Sequence, residues 1–154
     1  MKACTFFGNH SCSNEIYGCL VAAIKELVTT EKADTFYVGN EGNFDKMVQR
    51  ALYEVKSEFP KIACFTVLAY LPEKKNPDVI PPVLETIYPE GIEKSLPRFA
   101  INSRNEWMIN KSYFVIVYPS PFGNSAKMKE KAELKGKTVI NLYEEAKKIA
   151  PFGI

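Results

Sequence analysis

Two stretches near the amino terminus share one pattern, and this pattern constrains the fold more than any other feature of the sequence. An apolar run at residues 3–7 ends at Gly8, and a second at residues 35–38 ends at Gly39. After each glycine-containing turn, apolar residues recur every three or four positions, which is the period of an amphipathic helix. Strands that alternate with helices in this way predict a parallel sheet joined by right-handed crossovers.

Further apolar runs at residues 62–70, 113–118 and 138–142 predict three more strands. Between them, residues 72–97 contain six of the ten prolines of the chain and show little periodicity. We expect this segment to be a long excursion, which is either a lid or interface or an insertion that the surface tolerates. A helix-compatible pattern resumes at residues 98–110.

These elements together predict an α/β fold of the Rossmann-like type. We expect a three-layer, doubly wound and mainly parallel sheet of five strands, in the spatial order 3-2-1-4-5. The length of 154 residues, with 46% apolar residues, is typical of one domain with its own core. We therefore predict a single domain over residues 1–154.

Composition narrows the class of protein. The net charge of +2 at pH 7 lacks the strongly basic balance of a general nucleic-acid binder. No run approaches the ~20 apolar residues of a membrane helix, and the amino terminus has no signal-peptide pattern. The four cysteines lack CxxC spacing and His10 is the only histidine, so we expect no metal site and no cofactor. These features predict a cytoplasmic protein with reduced cysteines and no membrane association.

The turns that end the strands predict where a ligand binds. In an open parallel sheet, ligands bind beyond the carboxyl ends of the strands, where the strand order reverses. Free N–H groups at helix starts favour an anion there, and glycine allows a phosphate to approach the backbone. Strand termination and helix capping are the structural alternative for each turn. The ligand-binding residues predicted in these turns are Gly8, Asn9, His10, Gly39, Asn40, Gly42, Asp45, Gly123, Asn124 and Ser125.

Basic and amide side chains precede the fourth predicted strand. Arg98 and Asn105 are seven residues apart and are expected to share one helix face, with Arg104 on an adjacent face. Arginine binds phosphate through its bidentate fork, so these three residues are also predicted to bind the ligand. A salt bridge to Glu106 or another surface acid is the alternative for the arginines. Asp45 can likewise cap its helix rather than meet a ribose.

Six segments of the chain form a recognisable set: FFGNHS, YVGNEGNFD, RFAINSRNEWM, SYFVIVY, FGNSA and GKTVINL. They extend over nearly the whole chain and resemble the SLOG superfamily, the LOG, Smf and DprA group of Rossmann-like proteins, and within it the YpsA-like branch. The resemblance implies binding of nucleotides or nucleotide-derived molecules. It also implies a homo-oligomer, because relatives commonly pair.

The LOG branch hydrolyses nucleoside monophosphates with a PGGxGTxxE motif, for which this chain has PFGNSA at residues 121–126. The resemblance implies tentative catalytic roles for Arg104, which would steady the phosphate or ribose, and for Glu130, which would stabilise an oxocarbenium-like centre or activate water. If Gly123 corresponds to the first glycine of the motif, Glu130 lies at the position of the motif glutamate. If Gly123 corresponds to the second glycine, Lys129 lies at that position. A solvated surface acid is the alternative for Glu130.

Three functions are open on this basis. The preferred one is binding of a nucleotide or nucleotide-derived ligand, in order to sense, carry or sequester it, at the carboxyl edge of the sheet. The alternative is a LOG-like phosphoribohydrolase, and the second alternative is a DprA-like module for single-stranded DNA. The last needs a basic groove with aromatic side chains, whereas the lysines at residues 127–137 have no aromatic residues among them. We therefore expect no nucleic-acid partner. Tyr88 and Phe99 are candidates to wall a base.

Overall fold

A computed structural model describes residues 2–8, 14–71, 84–118 and 123–149. They form one six-stranded sheet in the order β4-β3-β2-β1-β5-β6, and every neighbouring pair of strands is parallel. The strands are β1 (Ala3–Gly8), β2 (Thr35–Val38), β3 (Ala63–Val67), β4 (Glu85–Ile87), β5 (Phe114–Tyr118) and β6 (Thr138–Asn141). The helices are α1 (Tyr17–Thr29), α2 (Gly42–Glu58), α3 (Ala100–Lys111), α4 (Asn124–Leu134) and α5 (Leu142–Ile149).

The sheet confirms the parallel Rossmann-like α/β fold but corrects the number of strands. The five predicted strands pair in the predicted spatial order, and the order reverses beside β1 as expected. The sixth strand, β4, lies inside the segment that was predicted to be a loop excursion. β4 has three residues, of which Glu85 and Thr86 are exposed, so it lacks the apolar run that marks the other strands. An edge position makes such a short, polar strand possible.

Alternate residues of the strands pack into two cores on opposite faces of the sheet. Phe6 and Phe36 belong to the core under α1, α2 and α5, and their rings stack with centroids 6.2 Å apart. Phe7 and Tyr37, the next residue in each strand, belong to the core under α3 and α4. Burial of a phenylalanine side chain stabilises a fold by about 1.5–3 kcal/mol. The three-layer arrangement therefore results from the period of two in these strands.

The parallel strands all point the same way, so their carboxyl ends lie at one edge of the sheet, which we call the carboxyl edge. Helices α1 to α4 begin there, because each follows a strand or the turn beyond it. The opposite edge, where the strands begin, is the amino edge. Within the four described ranges, no helix combines the length and the apolar character that a bilayer crossing requires.

Candidate functional site

The carboxyl edge brings together the three glycine turns that the sequence predicts. Gly8 is the last residue of β1 and pairs with Tyr118, the last residue of β5. Gly39 follows β2, and Gly123 directly precedes α4 on the far side of β5. The turns therefore lie at the carboxyl ends of three neighbouring strands. Asn9 and His10, also predicted to bind the ligand, lie outside the described residues.

A packing constraint accounts for Gly8. A Cβ atom built on this residue would lie 2.2 Å from the ring of Phe44, which is in the first turn of α2. The same ring stacks on Tyr118 with a centroid separation of 6.4 Å. Any side chain at position 8 would therefore displace α2 from the end of β1. The role of Gly8 in ligand binding stays a prediction.

Arg104 is the centre of a buried polar cluster beneath the carboxyl edge. The residue is 2% exposed, and its Nη1 donates to the carbonyl of Val67 at 3.2 Å and to Oδ1 of Asn40 at 3.3 Å. Its Nε donates to Oδ1 of Asn105 at 2.9 Å. We call Gly39, Asn40, Val67, Arg104 and Asn105 the Arg104 cluster. It joins α3 to the ends of β2 and β3.

The charge of Arg104 is balanced within the protein. Burial lowers the pKa of Arg104, and the carboxylates of Asp45 and Glu41 oppose this shift. The Nη1 atom lies 4.0 Å from Oε1 of Glu41. The predicted alternative partner, Glu106, instead lies 3.6 Å from both Lys131 and Lys135 on the surface. Arg104 therefore fixes the architecture of this edge, and its contact with a ligand stays a prediction.

The turn between β2 and α2 is closely packed against this cluster. A Cβ atom at Gly39 would lie 2.9 Å from Oδ2 of Asp45 and 3.0 Å from the guanidinium of Arg104. The carbonyl of Gly39 accepts from Nε2 of Gln49 at 3.0 Å. Asp45, in the first turn of α2, accepts from the backbone N–H of Glu41 at 2.7 Å and so holds the turn before the helix, in line with its structural alternative. Gly42 has a φ of 78° in the same turn.

Among the described residues, the start of α4 is more exposed than the β2–α2 turn. Gly123 has a φ of 102°, and no side chain caps the helix at this residue. Asn124 and Lys127 are exposed in the first turn, whereas Ser125 is buried. The first N–H groups of a helix have no partner within the helix. This turn can therefore meet an anion with backbone amides and with the ammonium of Lys127.

Arg98 lies before α3 rather than in it, which corrects the prediction that it shares a helix face with Asn105. A 3-10 turn covers Pro97–Phe99, and α3 begins at Ala100. Arg98 is therefore exposed while Asn105 is buried. The sequence pattern could not mark this boundary, because a 3-10 turn and the first turn of an α-helix differ by only one hydrogen-bond step.

Two exposed aromatic side chains flank Arg98. Its guanidinium lies 4.8 Å from the ring centroid of Phe99, which is 48% exposed. Tyr70, 47% exposed, donates its hydroxyl to the carbonyl of Pro97 at 2.7 Å. Tyr70 follows β3 and Phe99 precedes α3, so both lie at the carboxyl edge. We call Tyr70, Arg98 and Phe99 the aromatic patch.

The sequence interpretation located two of the three residues of this patch, Arg98 and Phe99. It selected Phe99 as a candidate to wall a base but also Tyr88, which is half-buried against Ile92 and Ala100. It missed Tyr70, which ends an almost continuous apolar run and therefore suggests a buried strand residue. β3 ends at Val67, and this earlier strand end leaves Tyr70 on the surface.

The residues proposed for catalysis are not in contact. Glu130 is exposed on α4, whereas Arg104 is buried beneath the ends of β2 and β3. No contact between Glu130 and the Arg104 cluster is found among the described residues. Their catalytic roles stay predictions. In the same part of the chain, no three His, Cys, Asp or Glu side chains are grouped so as to hold a metal ion.

Comparisons with known proteins identify a fold and no family. No family model matches the sequence, and no curated protein matches it. Among solved structures, the chain is similar to DNA processing protein A from Helicobacter pylori, a structure that concerns a single-stranded DNA binding mode. The TM-score is 0.60 at 13% sequence identity, over 97% of this chain and 73% of that chain.

This likeness supports a Rossmann-like fold, while membership of the SLOG superfamily and of its YpsA-like branch stays a prediction. It also corrects one expectation. Nucleic acid was excluded as a partner because the net charge is small and the lysines of α4 lack aromatic neighbours. That exclusion is wrong, because a protein of this fold binds single-stranded DNA. The aromatic patch lies between β3 and α3 and not on α4. The expected homo-oligomer stays a prediction.

Proposed function

We propose that this protein binds single-stranded nucleic acid at the carboxyl edge of its sheet. In this proposal, bases stack on Phe99 and Tyr70, and phosphates meet Arg98 and the start of α4. Single strands are bound by surfaces that combine aromatic rings with positive charge, because every base has a face that can stack. The proposal is the DprA-like alternative from the sequence, now with different residues.

The observation that carries the proposal is the aromatic patch. Single exposed aromatic rings are common on protein surfaces, but here two of them lie beside an arginine, which is the combination that stacks on bases and meets phosphates. The hydroxyl of Tyr70 is held by Pro97, so its ring is oriented before any ligand arrives. Arg98 contributes charge beside the stacking face, where it can contact a phosphate or stack on a base. A preoriented surface loses less entropy on binding.

The fold adds support of a more general kind. DNA processing protein A from Helicobacter pylori, with a similar fold, binds single-stranded DNA. The net charge of +2 does not oppose the proposal, because a local group of cations is enough to attract a strand. Binding is then expected to weaken steeply with salt, as phosphate contacts are lost.

A small nucleotide is the second candidate ligand, and the glycine turns favour it. Gly39 and Gly123 lie at the carboxyl edge, where doubly wound folds bind mononucleotides and dinucleotides. Such a ligand would contact the backbone at these turns and would not require the aromatic patch. Binding of single-stranded nucleic acid therefore requires Phe99, whereas binding of a small nucleotide does not.

Fluorescence anisotropy with a labelled oligothymidylate of about twelve nucleotides tests the proposal. We expect Phe99→Ala to weaken binding by about tenfold, which corresponds to the loss of one stacked base. Tyr53→Ala is the matched control, because Tyr53 is 61% exposed on α2 and lies outside the patch. The control should bind like the wild type.

A parallel experiment addresses the second candidate. The melting temperature is measured with AMP, NAD and ADP-ribose, and chromatography follows the fate of each compound. A melting shift without any binding of the oligonucleotide would overturn the proposal in favour of the small ligand. Release of a free base would instead support the hydrolase alternative. Equal effects of Phe99→Ala and Tyr53→Ala would remove the patch from the binding site.

A further inference from the structure

A groove lies where α1 and α2 begin. It has a volume of about 420 Å³ and is lined by Asn14, Asn43, Lys46, Met47 and Arg50. α1 follows β1 and α2 follows β2, and the two helices pack side by side on one face of the sheet. The groove therefore opens at the carboxyl edge. The aromatic patch lies at the same edge but beside α3, on the opposite face of the sheet.

Two cations face each other across one turn of α2 in this groove. Lys46 and Arg50 are four residues apart, and like charges at this spacing destabilise a helix. Both side chains are exposed, and no ion pair of Lys46 is found among the residues that the structure describes. An anion between the ammonium and the guanidinium would remove their mutual repulsion. The groove therefore favours a negatively charged ligand.

The guanidinium of Arg50 is oriented by its neighbours. It lies 4.3 Å from the ring centroid of Tyr17, the first residue of α1. The Tyr17 hydroxyl in turn donates to Oε2 of Glu54, one turn further along α2. Tyr17 therefore links the two helices and holds the Arg50 guanidinium beside its ring. An arginine fixed in this way loses little freedom when its N–H groups bind an anion.

From these observations we infer that the groove binds a phosphodiester of the single strand that the proposed function places at the carboxyl edge. Lys46 supplies a point charge and Arg50 a planar pair of donors. The side-chain amides of Asn14 and Asn43 line the same groove and can donate to the remaining oxygens. Met47, which is buried, closes the apolar floor. This inference rests on the proposed function and extends the bound strand beyond the aromatic patch.

The double variant Lys46→Ala/Arg50→Ala tests the inference with the same labelled oligonucleotide. We expect its affinity to fall by at least about tenfold at low salt. The slope of log Kd against log salt should also decrease by about 0.7 for each phosphate contact that is lost. The matched control is Lys61→Ala/Lys111→Ala, which removes the same charge from exposed positions at the amino edge. Circular dichroism checks that both double variants are folded.

The possible results separate the two proposals. If the wild type binds and both double variants lose affinity equally, the groove is not a subsite and only total charge matters. If the wild type does not bind the oligonucleotide at all, the proposed function itself fails. A third result is that inorganic phosphate raises the melting temperature of a protein that does not bind the oligonucleotide. If only Lys46→Ala/Arg50→Ala abolishes this shift, the groove binds free phosphate, and the inference that a nucleic-acid strand supplies the phosphate is wrong. Selective loss of affinity and slope in this variant would support the inference.

Discussion

The turns that follow β2 and β5 both lead to a glycine at the start of a helix, but the two glycines lie in different environments. Both strands are neighbours of β1, and both turns contain a glycine with positive φ, Gly42 at 78° and Gly123 at 102°. The β2–α2 turn is held by the buried guanidinium of Arg104 and by the cap from Asp45. Gly123, directly before α4, is exposed, and so is Asn124, the first residue of that helix.

This difference shows that a glycine-asparagine pair at a helix start does not by itself decide whether the turn is packed or exposed. The β2–α2 turn is rigid because Arg104, 64 residues from Asn40 in the chain, comes from α3 to fill the space behind it. The β5–α4 turn has no such buried arginine among the described residues. The β2–α2 turn therefore serves as architecture, whereas the described start of α4 at Gly123 and Asn124 is exposed.

Arg104→Ala is the change with the largest expected effect. It removes three hydrogen bonds and leaves buried acceptors at Val67 and Asn105 without a donor. We expect the free energy of unfolding to fall by about 3 kcal/mol, in the range for breaking a buried charged network. Urea unfolding monitored by circular dichroism measures this loss.

Arg98→Ala is the matched control for Arg104→Ala. Arg98 is exposed and lies six residues earlier, so its removal should change the free energy of unfolding by less than about 0.5 kcal/mol. Its effect should instead appear in the affinity for the oligonucleotide. A small stability loss in Arg104→Ala would mean that the Arg104 cluster does not fix the β2–α2 turn.

The sheet could be predicted because most of its strands are buried on both faces. The residues of β1, β2 and β5 are almost entirely buried, so their sequences are nearly continuous apolar runs. β4 could not be predicted, because its pairing with β3 depends on backbone hydrogen bonds that leave no trace in side-chain polarity. Pattern reasoning therefore finds the central strands and misses an exposed edge strand.

The site could be predicted only as a location. The glycines at strand ends identify the carboxyl edge, because topology alone brings Gly8, Gly39 and Gly123 to it. Side-chain exposure cannot be obtained in the same way. The sequence treats Arg98 and Arg104 as similar candidates, whereas the 3-10 turn before α3 leaves one exposed and the other buried. That separation depends on where the helix begins.

Gly39→Ala should have the second largest effect. The new methyl group would approach Oδ2 of Asp45 and the guanidinium of Arg104 to about 3 Å, and both neighbours are held by hydrogen bonds. We expect a loss of about 2 kcal/mol in the free energy of unfolding, as is typical of overpacking a filled site.

Gly18→Ala is the control, because no atom lies within 4 Å of a Cβ at this position in α1. It should stabilise the protein by about 0.5–1 kcal/mol. If Gly39→Ala leaves the free energy of unfolding unchanged, the turn can shift to accommodate the methyl group.

Gly123→Ala should have the smallest effect on stability. Its φ of 102° is unfavourable for alanine, so some cost is unavoidable. Because the residue is exposed, the turn can relax, and we expect a loss of about 1 kcal/mol, the lower end for a strained backbone conformation. Gly136→Ala, at the other end of α4 with a φ of 74° and open space around it, gives the cost of positive φ alone. A loss for Gly123→Ala as large as that for Gly39→Ala, measured by urea unfolding, would show that the two turns are equally constrained. The contrast between a rigid and an open turn at the carboxyl edge would then be lost.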